Sequence, residues 1–330
     1  MPRSQLNAVL RSYLQPAHRR IAGLLPPAVR RRYLYLAGQG RLPRLREPRT
    51  FTEKVSWRIL RDRRPELAWT CDKLAMKDHA HRLQEEAGVL VPETLWSGED
   101  LAAVAGRAFD RPWVLKPNHR SGLVRFGAAS DVVDAALVEA TREWVRDDQS
   151  ALLGEWAYSA ARKLFLIEER IGAGEPLDDY KFLVFDGEVA AIQVDRGRFT
   201  AGQTRSYYTP GWERIPVQLV VPCGPPVEEP ANLAAMVHAA EVLGRPFDFM
   251  RVDLYTTGDE VWFGELTPYP SGGSMRYEPR SFDAWLGDRW TLPASPCQAP
   301  VPRSRRRDAA PAESRADGPG DARNPAVVPG

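Results

Sequence analysis

The chain holds little that could be cross-linked and little that could enter a lipid core. Its three cysteines (Cys71, Cys223, Cys297) are widely spaced in 330 residues and leave one unpaired. That argues against a disulfide framework or a four-ligand zinc site, and for a reducing compartment. No stretch approaches about 18 uninterrupted apolar residues, so no transmembrane segment is expected. Arg3 and Arg11 are followed by no apolar core of a secretory signal, so the expected location is cytoplasmic. Glycine-rich phosphate loops of the GxxxxGK[ST] type and GxSxG elbows are missing, and Gly172-Ala173-Gly174 lacks the third glycine and following helix of a dinucleotide fingerprint. His79 and His81, two apart, would leave a helix on different sides and make a poor metal pair.

Lysine is also scarce: six residues (Lys54, Lys73, Lys77, Lys116, Lys163, Lys181) against 39 arginines. Lysines that survive such a bias are enriched for places that need a compact ammonium on a flexible stem, and phosphate contact is one such use. Charge is unevenly spread. Residues 1–50 carry eleven arginines and one acid, whereas residues 51–290 carry 28 basic and 38 acidic residues. A basic arm therefore precedes an acidic body. The arm could bind RNA or an anionic surface, which would place the protein peripherally at a membrane, or it could pack on the body.

Within the arm, Leu6, Val9, Leu10, Tyr13 and Leu14 give a helical apolar face, and Pro26, Pro27 and Pro43 interrupt it. A helix is expected over 66–88, opened by Pro65 and stopped at Gly88, with Lys73 and Lys77 on one face. Residues 111–118 read as a short buried strand, and 131–148 as a helix capped by Ser130 or Asp131. Strands then dominate. They comprise 164–171, a hairpin turning at Asp186-Gly187, a turn at Pro210-Gly211 and a last hairpin around Thr257-Gly258-Asp259, with a helix over 231–243 between. The tail 291–330, with eight Pro and eight Ala and no periodic apolar face, reads as disordered. The mixture gives an α+β fold class, with the arm at 1–50, a catalytic domain at 51–290 and the tail beyond.

The last hairpin is the most informative segment. If its loop is centred on Asp259, Asp253 faces Glu265 and Arg251 faces Thr267, while Val252, Leu254 and Leu266 point to a core. Opposed carboxylates repel unless a cation lies between them, and Mg²⁺ shared with substrate phosphates would serve; a one-residue slip would separate them. An ordinary solvated sheet face is the alternative. Lys116 closes an apolar strand and leads into Asn118-His119-Arg120-Ser121-Gly122, a small polar loop suited to a nucleotide phosphate. Glu168 and Glu169 follow an apolar run and could accept ribose hydroxyls. Lys181 lies on the polar side of an alternating strand.

These segments in this order (TFTEKVSW at 50–57, DKLAMKDH at 72–79, VLKPNHRSG at 114–122, FLIEERI at 165–171, DYKFLVFDGEV at 179–189, IQVDRGRF at 192–199, RVDLY at 251–255 and FGELTPYPSGG at 263–273) resemble the TupA-like branch of the ATP-grasp superfamily over about residues 45–290. The resemblance implies two α+β subdomains holding ATP between them and an ADP-forming joining of a carboxylate to an amine through an acylphosphate. It associates the chain with teichuronopeptide and related cell-surface polymers, hence with amino-acid, peptide or uronic-acid substrates. It also implies roles for particular residues. Lys73, Lys77 and Lys116, with His119, Ser121 and Gly122, would contact the phosphates, and Glu168 and Glu169 the adenosine. Lys181 would neutralise phosphate charge, and Asp253, Glu265 and Thr267 would bind Mg²⁺. Arg251 would stabilise the transferring group, and Arg196 and Arg198 would grip a substrate carboxylate. A phosphotransferase acting on an alcohol is the other enzymatic reading. The family loop usually reads Asn-His-Gly-Ser-Gly-Gly, so Arg120 and Leu123 here either add a phosphate contact or stiffen closure.

Overall fold

The computed structural model describes residues 22–146, 152–172, 177–198, 200, 202–218 and 221–294. The apolar positions at 6–14 and most of the tail lie outside these. From Ala22 onward the basic arm is packed against the body. Helix α1 (Pro27–Gln39) begins on a proline, whose missing N–H is harmless at a first helical position, and ends at Gly40 in the left-handed region. Its buried face docks by hydrogen bonds. Arg31 donates to the Gly272 carbonyl, Gln39 Nε2 donates to the Met275 carbonyl at 2.5 Å, and the Tyr35 and Thr52 hydroxyls share a bond of 3.0 Å. Arg41 then pairs with Glu53 at 2.5 Å. Glu53 belongs to α2 (Phe51–Arg61), whose first turn is closed by a reciprocal capping box between Thr50 and Glu53.

The helix expected over 66–88 is three pieces: α3 (Glu66–Trp69), α4 (Lys73–Arg82) and α5 (Gln84–Ala87), ending at Gly88 in the left-handed region as anticipated. The break lies at Asp72. Its backbone is extended, and its side chain accepts from Ala75 N at 3.0 Å to start α4 afresh. Arg162 holds the same carboxylate at 2.7 and 2.8 Å, tying the lysine-bearing helix to the chain just before the fourth strand.

Two antiparallel sheets follow. The smaller is built from β1 (Thr94–Gly98), β2 (Trp113–Pro117), β3 (Arg125–Gly127) and β4 (Phe165–Glu169), in the order β1-β4-β2-β3. Trp113, Leu115, Phe165 and Ile167 fill its core with Leu101, Phe109, Val133 and Trp144. The helix expected over 131–148 is shorter. Helix α6 (Ala135–Thr141) is capped by Asp134, not Ser130 or Asp131, and yields to a 3-10 turn at Arg142–Trp144; Asp131 instead accepts from Ala128 N within its own turn. A single turn, α7 (Trp156–Ser159), precedes β4.

The larger sheet has six strands, in the order β10-β9-β5-β6-β7-β8. These are β5 (Asp179–Phe185), β6 (Glu188–Arg196), β7 (Thr204–Tyr208), β8 (Arg214–Ile215), β9 (Phe249–Thr257) and β10 (Glu260–Thr267). Asp186 and Gly187 both take positive φ, which matches the twist of the β5–β6 hairpin. One sheet face is apolar across its central strands. Tyr180, Phe182, Val184, Ile192, Val194, Val252, Leu254 and Leu266 pack with Met236, Ala239, Ala240 and Leu243 of α8 (Leu233–Gly244). The opposite face is divided along its length. Leu183, Phe185, Ala191 and Phe249 pack under α2 and α9 (Arg280–Asp288), while the other half is polar. No helix among the described residues is long and apolar enough to cross a membrane.

Asp72 offers a test of how α4 is held. Burial alone would raise its pKa, but hydrogen bonds from Arg162, from the Ala75 amide and from Asn118 outweigh this and hold it at about 2, below its ordinary 3.8. The folded pKa is the lower one, so the stabilisation is complete above the unfolded value and is lost as pH falls through about 2. Asp72→Asn keeps a capping side chain and removes the charge. It should cost roughly 2 kcal/mol at neutral pH by chemical denaturation, a deficit that shrinks steadily below about pH 4.

Candidate active site

The polar half-face of the large sheet follows from strict period-two alternation. Backbone register places Glu265, Asp253, Lys181, Gln193 and Tyr207 in one row across β10, β9, β5, β6 and β7. Arg251 and Thr267 stand beside it on one side, and Asp179, Asp195 and Arg205 on the other. The charges interleave. Lys181 Nζ is 2.8 Å from Asp253 Oδ2 and 2.5 Å from Asp179 Oδ2, and Arg251 grips Asp253 at 2.6 and 2.7 Å. Arg198 reaches Asp179 at 2.5 Å, and Arg205 pairs with Asp195. Burial alone would raise the Asp253 pKa, yet Arg251 and Lys181 hold it below the usual carboxylate range.

The Asp253–Glu265 opposition is present, and so is that of Arg251 and Thr267, but the turn is not centred where the sequence suggested. At the hairpin tip Glu260 pairs with Thr257 around a two-residue turn, one register short. A bulge at Gly264 restores the register before the site. Only glycine fits there, because a Cβ would stand 2.8 Å from the Asp253 carbonyl oxygen and 2.8 Å from the Tyr255 ring.

Facing this floor, the small sheet contributes two carboxylates and a lysine. Glu168 is buried at the end of β4 and joins Lys116, from β2, to Lys77, from α4, the latter at 3.2 Å. Lys77 also donates to Thr94 Oγ1 at 2.9 Å. Burial would raise the Glu168 pKa, and Lys116 and Lys77 more than reverse it. Glu169, half-buried, accepts from the Glu93 amide at 2.7 Å. Lys73 Nζ donates to the Arg120 carbonyl at 2.7 Å and so holds the backbone of the polar loop, while Asn118 clamps the Leu74 amide at 2.9 Å.

Two cavities lie over the floor. A cleft of about 380 Å³ between the sheets is lined from above by Lys73, Lys116, Ser121, Gly122, Glu168 and Glu169, and from below by Asp179, Asp253, Tyr255 and Glu265. A second cavity of about 280 Å³ adjoins His119, Glu155, Tyr158, Lys181, Arg205, Arg251, Thr267 and Tyr269. Arg120, Ser121, Arg198 and Glu265 line both. Of the residues singled out in the sequence, two stand apart. Lys77 is behind Glu168 and lines neither cavity; Arg196 is half-exposed at the end of β6, paired with Asp178 at 3.1 Å. Asp179, Asp195, Arg205 and Glu155 went unnoticed in the sequence. The first three carried a readable signal, since they share the alternation phase of Lys181 and Gln193; Glu155 carried none.

A model of the TupA-like ATPgrasp family matches residues 53–291. The chain belongs to this family. Its two-sheet α+β architecture, with the cleft between the sheets, is the ATP-grasp fold. Among solved structures, D-alanine–D-alanine ligase from Bacillus anthracis complexed with ATP is similar at 18% identity and a TM-score of 0.36, over 60% of this chain and 54% of that one. The corresponding Helicobacter pylori ligase is similar at 15% identity and a TM-score of 0.38, over 75% and 68%. The ATP-grasp ligase PsnB with a phosphomimetic variant of its minimal precursor, Mg and ADP is similar at 16% identity and a TM-score of 0.31, over 62% and 52%. The chain thus spans about half the length of the first and third of these. No curated protein matches it.

An ATP-grasp site implies a metal ion beside the nucleotide. Among the described residues no group of three or more His, Cys, Asp or Glu is placed to hold one alone. The donor chemistry nevertheless suits Mg²⁺, which takes one or two carboxylates and completes its shell with phosphate and water. Asp253 and Glu265 are two such oxygens, opposed at the cleft, with the Thr267 hydroxyl 3.1 Å from Glu265 Oε1.

Because the bulge sets the register of this pair, Gly264→Ala should be costly. Forcing backbone and ring apart is expected to cost about 1–3 kcal/mol, read as a melting temperature lower by several degrees. An Ala variant with wild-type stability would show that the bulge relaxes freely.

Proposed function

We propose that the chain is an ADP-forming ligase that joins a carboxylate to an amine, drawing on amino acids, short peptides or uronic acids. One observation carries this reading: two cavities of different lining meet at Glu265 and Arg198, beside the Asp253–Glu265 pair. Group transfer between a nucleotide and a second substrate needs that contiguity, since positioning the two reactants supplies much of the rate.

In this reading the inter-sheet cleft takes ATP as substrate. Lys116 trades its contact with Glu168 for phosphate oxygens, and Lys73 keeps the loop backbone at Arg120–Gly122 over them. Glu169 offers an acceptor to the ribose, and Arg120, which lines both cavities, is positioned to add a phosphate contact. Mg²⁺ bound with the phosphates at Asp253 and Glu265 supplies positive charge that offsets their repulsion and the charge of the transferring group. Lys181 and Arg251 are fixed by Asp253 and need little reorganisation to meet negative charge growing on the transferring phosphoryl group. The substrate carboxylate attacks the γ-phosphorus and ADP leaves. The amine then attacks the acyl carbon and phosphate leaves. Arg198, on the shared wall, is suited to the carboxylate, whereas Arg196 is turned to Asp178.

The reading is tested with the purified chain, Mg²⁺-ATP, pooled amino acids and uronic acids, and hydroxylamine. ADP together with a hydroxamate is expected, because hydroxylamine captures an acylphosphate. ADP with a stable phosphorylated product would assign the chain to phosphotransferases acting on alcohols, and AMP would contradict acylphosphate chemistry.

A further inference from the structure

One carboxylate in the second cavity stands outside the charge-paired floor. Glu155 immediately precedes α7 and is 7% exposed. Asp253, Asp179 and Asp195 are each held at hydrogen-bonding distance by Lys181, Arg251, Arg198 or Arg205. Glu155 receives no such bond from any described residue, and its electrostatic relief comes from Arg31 on α1 alone. The groups gathered around it are Arg31, the buried Cys71 thiol, Tyr158 and Tyr269. Burial pushes the thiol and both phenols well up, so all three stay protonated near neutrality. The Tyr269 hydroxyl is buried and has no hydrogen-bond partner among the described residues. Space beside the carboxylate is kept open by backbone. Gly272 has φ of 56°, and a Cβ there would lie 3.0 Å from Glu155 Oε1. The cavity thus presents a carboxylate that no described residue hydrogen-bonds, with the buried Tyr269 phenol beside it.

We infer that Glu155 receives the nucleophilic amine in this second cavity, holding it as an ammonium and accepting its proton before it attacks. The inference rests on the ligase reading and adds to it the place and the proton path of the amine. A primary ammonium transfers one proton to the Glu155 carboxylate, leaving a neutral amine and a carboxylic acid. The amine lone pair forms the C–N bond to the acyl carbon, the bond from that carbon to the phosphate oxygen breaks, and phosphate leaves with the second amine proton. Burial, partly offset by Arg31, places the Glu155 pKa at about 7, which suits a group that must exchange protons near neutrality.

The test compares two nucleophiles on the full chain with Mg²⁺-ATP and a pooled carboxylate mixture. Hydroxylamine is already neutral at pH 7.5 or so and needs no base, whereas amino-acid amines enter as ammonium ions. Glu155→Gln keeps the shape and removes the proton acceptor. Amide formation relative to hydroxamate formation is expected to fall about a hundredfold or more. The deficit should close as pH rises past the amine's own pKa. An equal fall in both products, or none in either, overturns the assignment of Glu155 and leaves the ligase reading standing. A wild-type chain that forms no hydroxamate overturns the ligase reading and this inference with it. If the variant does not fold, the wild-type pH profile decides. Amide formation at saturating amine should decline below about pH 7 while hydroxamate formation does not, and parallel profiles overturn the inference.

Discussion

Lys181 stands between two aspartates in the middle of a sheet, and much of the molecule is arranged around that fact. Its ammonium is nearly fully buried, with Asp179 on one side and Asp253 on the other. Isolated charges at that depth would be prohibitively expensive, so each must be matched in kind and number by its neighbours. The interleaving continues outward to Arg251, Arg198, Asp195 and Arg205. A face that would ordinarily be apolar and filled can therefore stay polar and open. The other half of the same face shows the alternative, for there Phe185, Phe249 and Trp290 close against Phe51 with ring centroids 4.8–6.0 Å apart.

Charge matching also prepares the site for chemistry. A side chain locked by its partner in the free protein does not have to be reorganised when negative charge appears nearby, and pre-organised charge is worth most where water is excluded. Glu168 repeats this on the small sheet, storing Lys116 and Lys77 against one buried carboxylate. Arg58 does the structural counterpart on the apolar half of the same face. Fully buried and stacked 4.3 Å over Trp290, it binds Asp248 at 2.6 Å and the Phe249 carbonyl at 2.9 Å, and so fixes α2 over the start of β9.

Much of this was legible in the sequence for a simple reason: strands alternate. The phase of Lys181, Asp253 and Glu265 and the apolar partners Val252, Leu254 and Leu266 follow from period two. The order of motifs pointed to the family over about residues 45–290, and the family's model matches residues 53–291. The hairpin register came out right at the site although the turn is one residue shorter than supposed, because the Gly264 bulge compensates. What escaped depends on contacts between distant segments. The break at Asp72 is secured by Arg162, ninety residues on. The docking of the arm rests on Arg31 reaching Gly272, 241 residues away. Glu155 lies just before a single helical turn with no periodic pattern, and only folding reveals that it lines a cavity. The expected helix over 66–88 ran together pieces that the cap at Asp72 separates, and the one expected over 131–148 starts only at the Asp134 cap.

The most direct test of the central claim, that the paired floor presents Asp253 and Glu265 to a metal-bound nucleotide, is calorimetric titration of ATP with and without Mg²⁺ into the wild-type chain and Asp253→Asn. Mg²⁺ is expected to tighten ATP binding by about tenfold or more in the wild type, a gain of about 1.4 kcal/mol. This gain should disappear in the variant while the fold is retained. Mg²⁺-independent binding by the wild type, or an undiminished Mg²⁺ effect in Asp253→Asn, would rule out that role for Asp253.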